Sequence, residues 1–77
     1  MQWDNIYNVY IHRDLEAEGI SVASIGLDRN TVIVTVDTDD VDDAFDIIEE
    51  LLVELGVVLY DYEIEYDDFL SRIYLEI

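Results

Sequence analysis

Lysine, cysteine and proline are all missing from this sequence, and only three glycines are present. Without cysteine, the chain cannot form a disulfide framework or a metal site built on thiolates. Without lysine, three arginines stand against 20 aspartates and glutamates, and the net charge is -17. This charge excludes direct contact with nucleic acid or with an anionic membrane unless cations bridge the two surfaces. The expected partner is therefore a basic surface, or there is none.

The chain is rich in apolar residues despite its charge. Hydrophobic residues make up 52% of it and aromatic residues 12%, which is too apolar for a disordered acidic tail. No linker or low-complexity segment divides the chain, so we expect one domain over residues 1–77. A chain this short buries only about 60% of the surface that its unfolded form exposes, so a deep catalytic cleft is not expected. The amino terminus lacks the features of a signal peptide, and no apolar run approaches the roughly 20 residues that span a bilayer. We expect a cytoplasmic protein, in the host cytoplasm if a virus encodes it.

Two helices are predicted from apolar side chains at helical spacing. The first is predicted over residues 3–18, ending before Gly19, from Trp3, Ile6, Tyr7 and Tyr10. The second has one apolar stripe with a 3-4-3-4 spacing, formed by Val41, Ala44, Phe45, Ile48, Leu51, Leu52 and Leu55. We expect Gly56 to end this helix and Asp39 or Asp40 to cap its amino end.

Four strands are predicted from β-branched residues and from alternation along the chain. They are residues 20–25, 31–36, 57–66 and 71–77. The first two flank turn residues at 26–30 and should pair as a hairpin, and a turn at 67–70 separates the last two. The order αββαββ predicts an α+β fold with a four-stranded antiparallel sheet and both helices packed on one face.

The acidic residues are concentrated in the second predicted helix and in the third predicted strand with its turn. Thirteen of the 20 carboxylates lie there: Asp39, Asp40, Asp42, Asp43, Asp46, Glu49, Glu50, Glu54, Asp61, Glu63, Glu65, Asp67 and Asp68. Side chains on one face of a strand repeat about every 6.7 Å, close to two phosphate rises along one DNA strand. A row such as Asp61, Glu63 and Glu65 can therefore occupy positions like those of successive phosphates. We predict that these residues present an acidic, partner-binding surface.

A rigid array of carboxylates can compete for the cationic side chains with which a DNA-binding protein neutralises phosphates. In composition and size, the chain resembles the DNA-mimicking inhibitors that phages and mobile elements direct at restriction enzymes, CRISPR complexes, repair enzymes and nucleoid proteins. Members of that class share a layout of charge rather than a sequence motif. The resemblance implies a non-enzymatic inhibitor of the anti-CRISPR or anti-restriction type, which blocks a nucleic-acid-binding complex by occlusion.

Adaptation to strong salt is the alternative interpretation of the charge. Proteins from salt-accumulating organisms are acidic throughout, prefer aspartate to glutamate and avoid lysine, and here aspartate outnumbers glutamate 12 to 8. The chain would then be a small structural or assembly protein of a halophilic archaeon or of its virus. Ten isoleucines and six tyrosines argue against the weakly hydrophobic core expected in such a protein. The two interpretations can coexist.

Local motifs do not indicate an enzyme. The segment His12–Leu15 matches the start of the protein-kinase catalytic loop, but Gly19 stands where that loop requires asparagine. The aspartates of residues 37–43 fail the calcium-loop pattern at its fifth and sixth positions. The sequence contains no serine–histidine–aspartate set, glycine-rich phosphate loop or basic patch. We expect no catalytic residue, no metal site and no cofactor.

The third predicted strand also carries a row of tyrosines, at Tyr60, Tyr62 and Tyr66. Tyrosine is enriched at binding hot spots, but we expect this row to pack beneath a helix, because the residues that alternate with it are acidic. The opposite face of the sheet is predicted to hold Ile33, Val57, Leu59 and Tyr74. If those side chains cluster, they would support a homodimer through an apolar sheet face.

Overall fold

The computed structural model describes residues 3–77, with side chains from Asn8 onward. Its elements are α1 (Trp3–Ala17), β1 (Val22–Asp28), β2 (Thr31–Asp37), α2 (Val41–Glu54), β3 (Asp61–Glu65) and β4 (Leu70–Glu76). A short 3-10 turn, Thr38–Asp40, leads into α2. The predicted α+β class and the order αββαββ are confirmed. The side chains of Trp3, Ile6 and Tyr7, which supported the prediction of α1, lie outside the described residues.

The four strands form one antiparallel sheet in the order β1-β2-β4-β3. The central strands β2 and β4 bury alternate side chains on one face, namely Val32, Val34, Val36, Ser71, Ile73 and Leu75. Because side chains alternate across a strand, this apolar face is continuous over the middle of the sheet. Both helices cover it, as predicted: α1 contacts β1, and α2 contacts β2 and β4. We call the opposite side of the sheet the outer sheet face.

The core joins this sheet face to the apolar stripes of both helices. Ile11 and Leu15 of α1 are completely buried. From the predicted stripe of α2, the buried members are Val41, Ala44, Ile48, Leu51 and Leu52. Phe45 is half-buried at the side of the stripe, and Leu55 lies beyond the last helical turn and remains 37% exposed.

Both helices end at the predicted glycines. Gly56 has a φ of +71° and donates to the carbonyl of Val53, while the N–H of Val57 donates to the carbonyl of Leu52 at 2.9 Å. This pair of bonds is a Schellman motif, in which the glycine takes the left-handed conformation that other residues disfavour. The same two bonds close α1 at Gly19, whose φ is +79°.

The start of α2 is held in a different way from the one predicted. Asp40 occupies the N-cap position, but its side chain makes no capping hydrogen bond. Instead, the hydroxyl of Thr38 donates to the carbonyl of Asp67 at 2.6 Å and lies 2.8 Å from the hydroxyl of buried Ser71. The N–H of Thr38 also donates to the carbonyl of Phe69. These bonds tie the entrance of α2 to the turn between β3 and β4.

The bounds of all four strands differ from the prediction, by one residue at one end of β2 and at each end of β4, and by more in β1 and β3. Strand β1 continues through Gly26 to Asp28, so the predicted turn at 26–30 shortens to Arg29 and Asn30. Arg29 makes this tight turn with a φ of 58°. Residues 57–60 were predicted to belong to the third strand and lie outside it. Because β4 ends at Glu76, residues 57–60 have no strand residues opposite them. A single hydrogen bond, from the N–H of Tyr60 to the carbonyl of Glu76, connects them to β4.

The apolar sheet face predicted for a homodimer does not contain all four of its expected members. Val57 and Leu59 pack against the core, because residues 57–60 leave the sheet. Ile33 and Tyr74 stand opposite each other on β2 and β4, on the outer sheet face, and both are half-buried. The outer sheet face is thus less apolar than expected.

Candidate protein-interaction surfaces

The thirteen predicted acidic residues lie on more than one side of the molecule. All are exposed except Asp40, which is half-buried. On β3, Ile64 stands opposite buried Ile73 and so belongs to the helix side of the sheet. Asp61, Glu63 and Glu65 alternate with it and therefore point to the outer sheet face. The acidic row of β3 and the acids of α2 are separated by the sheet, and the expectation that they share a surface is wrong.

The carboxylates of α2 form a band across the exposed surface of the helix, from the side that faces β3 to the side that faces α1. On one side, Asp42 accepts a hydrogen bond of 2.7 Å from the hydroxyl of Tyr66, so this side faces β3. Glu49 follows Asp42 by two helical turns and shares that side. Most of the others face α1, where they line depressions between the two helices. Asp39, Asp67 and Asp68 are exposed in the turns.

We call the acidic channel between α1 and α2 the helix groove. Two adjoining depressions of about 370 and 200 Å³ form it. Seven carboxylates line it: Asp14, Glu18, Asp40, Asp43, Asp46, Glu50 and Glu54. Among the described side chains, only Asp14 of this group has an ion-pair partner, Arg13, at 2.9 Å. Asp14 and Glu18 were not predicted to belong to the acidic surface, because only the packing of α1 against α2 brings them to the other acids.

The density of negative charge along the helix groove approaches that of a DNA strand. Four of its carboxylates, Asp43, Asp46, Glu50 and Glu54, follow one another on α2. They extend over about 16 Å of helix axis, at a rise of about 1.5 Å per residue. One DNA strand carries about five phosphates over that length. The carboxylates of α1 add a second acidic wall.

The outer sheet face carries a smaller and partly neutralised set of acids. Glu65 is paired with Arg72 at 2.8 Å, and this hydrogen-bonded pair raises the pKa of Arg72 above its usual value. Asp61 stands directly opposite Glu76, an acidic residue outside the thirteen that were predicted. Together with Glu63 they line a depression of about 350 Å³. The predicted row of three strand carboxylates therefore retains two that are not ion-paired with a described residue.

The tyrosines of the third predicted strand are more exposed than expected. Tyr60 is 74% exposed and Tyr66 is 60% exposed, because β3 is an edge strand and α2 lies over β2 and β4. Only Tyr62 stacks against the helix, with its ring centroid 4.5 Å from that of Phe45. The pKa of Tyr66 is raised above its usual value. The hydrogen bond from its hydroxyl to Asp42 is the largest cause, and desolvation and the negative charge of that carboxylate are smaller ones. The prediction that the row packs beneath a helix is thus wrong for most of its surface.

Across residues 3–77, no helix combines the length and apolar character needed to cross a membrane. Among the side chains from Asn8 onward, no three histidine or carboxylate groups lie closely enough together to hold a metal ion. No protein-family model matches the sequence, and comparison with curated proteins finds no match.

Proposed function

We propose that this protein binds the basic surface of a nucleic-acid-binding protein through the helix groove, and that it blocks nucleic acid from that surface without catalysing a reaction. The observation that carries the proposal is the convergence of seven carboxylates from two helices on one groove. All but Asp14 lack an ion-pair partner among the described residues. The target would be a restriction enzyme, a CRISPR complex or another nucleic-acid machine, as expected for an inhibitor encoded by a virus or mobile element.

Electrostatics support a groove rather than a scattered set of charges. A cleft lined by charges of one sign, with walls of low dielectric constant, focuses the field and attracts groups of the opposite sign. Basic side chains of a partner would therefore be steered to the groove, and association should be fast and strongly dependent on salt. The carboxylates of the groove would neutralise the partner's basic side chains, as the phosphates of a bound nucleic acid normally do.

The proposal gives different roles to the acids that the sequence grouped together. Asp43, Asp46 and Glu50 lie in the middle of the groove and would carry most of the binding. The acids of the outer sheet face would contribute through net charge alone, because they point away from the groove. Glu65 would contribute least, since Arg72 already neutralises it.

Displacement of a labelled DNA duplex from purified restriction endonucleases, CRISPR effectors and nucleoid proteins tests this function. The variant Asp43→Asn, Asp46→Asn, Glu50→Gln should displace the duplex from a susceptible target at least about tenfold less well. That estimate assumes about 0.5–1 kcal/mol for each exposed carboxylate and 1.4 kcal/mol for each factor of ten.

The matched control is Asp61→Asn, Glu63→Gln, Glu76→Gln, which removes the same charge from the outer sheet face. It should retain most of the displacement activity. Equal losses in the two variants would mean that only net charge matters, and equal displacement by polyglutamate would mean that any polyanion suffices. Either result, or no displacement by the unaltered protein from any target, would reject the proposal.

Salt adaptation is the second candidate, and the carboxylates that lie outside the helix groove favour it. Carboxylates occupy the helix groove, the β3 side of α2 and the outer sheet face, instead of a single surface. A halophilic structural or assembly protein would need such even coverage, because its acids serve hydration on all sides. Folding that requires molar salt would favour this candidate over the inhibitor.

A further inference from the structure

An aromatic surface lies beside α2 at the free edge of the sheet, away from the helix groove. We call it the tyrosine patch: Tyr60, Tyr62 and Tyr66 of β3 and its flanks, with Phe45 and Asp42 of α2. Its three tyrosines are between 53% and 74% exposed, whereas Phe45 is half-buried beneath Tyr62. The bonds of Thr38 to the β3–β4 turn hold the start of α2 against this edge. The fold therefore holds the patch in place, and no other described part of the chain covers its exposed tyrosine rings.

Two arginines of this protein, Arg13 and Arg72, show which of its side chains bind a guanidinium group. The guanidinium of Arg13 lies 4.9 Å from the centroid of the Tyr10 ring and pairs with Asp14 at 2.9 Å. Arg72 pairs with Glu65 at 2.8 Å. In the first case, a tyrosine face and a carboxylate hold the same guanidinium. The patch offers that combination again, and the described chain supplies no arginine to it.

We propose that the tyrosine patch receives arginine side chains of a basic partner protein, with one guanidinium group stacked on Tyr66 and paired with Asp42 and a second one stacked on Tyr60. The inference rests on the proposed function insofar as the partner is a basic protein, and it adds a second contact that selects arginine over lysine. Guanidinium is planar, stacks on aromatic faces and is weakly hydrated, whereas ammonium is a strongly hydrated point charge. The carboxylate of Asp42 has roughly four acceptor positions. One of them accepts the hydroxyl of Tyr66, and the others remain for a guanidinium group.

Charge complementarity favours this occupant over a second copy of the chain. A second copy would bring another net charge of -17 to a patch that already contains Asp42 and adjoins Glu49. Pairing of two copies edge to edge is also opposed at β3, which is short and acidic, as in other edge strands that resist association. The carboxylate of Asp61 accepts the N–H of Tyr62 at 2.8 Å, which removes one donor from such pairing.

Calorimetric titration with an arginine-rich peptide and with a lysine peptide of equal length and charge tests this inference. We expect the arginine peptide to bind about tenfold more tightly. In the variant Tyr60→Leu, Tyr66→Leu that preference should disappear. The variant Tyr60→Phe, Tyr66→Phe should keep most of it, since the rings remain. Backbone amide shifts induced by the arginine peptide should be largest along β3 and the start of α2.

The groove variant Asp43→Asn, Asp46→Asn, Glu50→Gln separates failure of this inference from failure of the proposed function. It should weaken both peptides by similar factors and leave their ratio unchanged. Equal binding of the two peptides to the unaltered protein, or a preference that survives the leucine variant, would overturn the inference without contradicting the proposed role of the helix groove. Absence of binding by both peptides would overturn the inference and the proposed function together. Self-association that the leucine variant abolishes would identify a second copy as the occupant and would also overturn the inference.

Discussion

Asp46 occupies the point of greatest like-charge crowding on α2, and its neutralisation should stabilise the fold. It has carboxylates three and four residues away in both directions: Asp42, Asp43, Glu49 and Glu50. Residues at those spacings are neighbours on a helix surface. Asp46 also lies beyond the first turn, where the helix dipole would favour an acid. Asparagine has nearly the same shape and a similar helix propensity, so Asp46→Asn isolates the electrostatic effect.

The expected gain follows from the number of repulsive neighbours. Each like-charge pair costs about 0.2–0.5 kcal/mol, so removal of four pairs should raise the free energy of unfolding by about 1–2 kcal/mol in dilute buffer. A chain of this length has a total of roughly 4–12 kcal/mol. The melting temperature should rise by roughly 4–16 °C, at 4–8 °C per kcal/mol for a domain of this size.

Asp42→Asn is the matched control and should change stability in the opposite direction. Asp42 lies in the first turn, where the helix dipole favours a negative charge. It also accepts the hydrogen bond from Tyr66 and has one like-charged neighbour at helical spacing within α2, Asp46. Loss of the favourable contacts should lower the free energy of unfolding by about 0.5–1 kcal/mol.

Both variants should be melted by circular dichroism at about 0.01 M and about 1 M potassium chloride, where the Debye length falls from about 30 to 3 Å. The gain from Asp46→Asn should be largest in dilute buffer and small in molar salt. An unchanged or lowered melting temperature in dilute buffer would refute the reasoning. So would a gain that persists undiminished in molar salt.

Three further outcomes follow from the structure. The unaltered protein should unfold cooperatively in dilute buffer if the charge serves binding, whereas folding only in molar salt, monitored by circular dichroism, would favour salt adaptation. Tyr66 should ionise at higher pH than an ordinary tyrosine, and Asp42→Asn should reverse this in a near-ultraviolet absorbance titration. Because its pKa is raised on folding, Tyr66 contributes stability below the usual value of about 10, which is lost as pH rises through the raised value. Leu59→Glu should lower the free energy of unfolding by about 1–3 kcal/mol in a denaturant titration, whereas disruption of a dimer without loss of stability would contradict the placement of Leu59 against the core.

Local sequence determined the helices and the class of fold. The apolar stripe from Val41 to Leu52 has helical periodicity. The helix and its buried side can therefore be predicted from this segment alone. Gly19 and Gly56 end the helices because a left-handed residue is needed at that position, whatever the rest of the chain does. The alternation along β2 and β4 likewise predicted strands with one apolar face. The class α+β and the order αββαββ follow from these local patterns.

Strand bounds were less predictable, because a strand exists only where it has a partner. Residues 57–60 (Val-Val-Leu-Tyr) are richer in residues that favour strands than residues 61–65, yet only the latter lie opposite β4. The hairpin turn was placed too early because Gly26 resembles a turn residue, whereas its backbone pairs with Ile33 in the sheet. Both errors arose where pairing between strands, and not local propensity, decided the outcome.

The sequence by itself determined how much negative charge this protein carries and which elements carry it, since composition and helical spacing are local properties. Only the tertiary structure decided which carboxylates meet. The strand order β1-β2-β4-β3 puts β3 at an edge and leaves its tyrosines uncovered. The alternation of β3 turns its acids away from α2, while the packing of α1 brings Asp14 and Glu18 to the groove. These are contacts between distant segments, and the periodicity of a single segment contains no information about them.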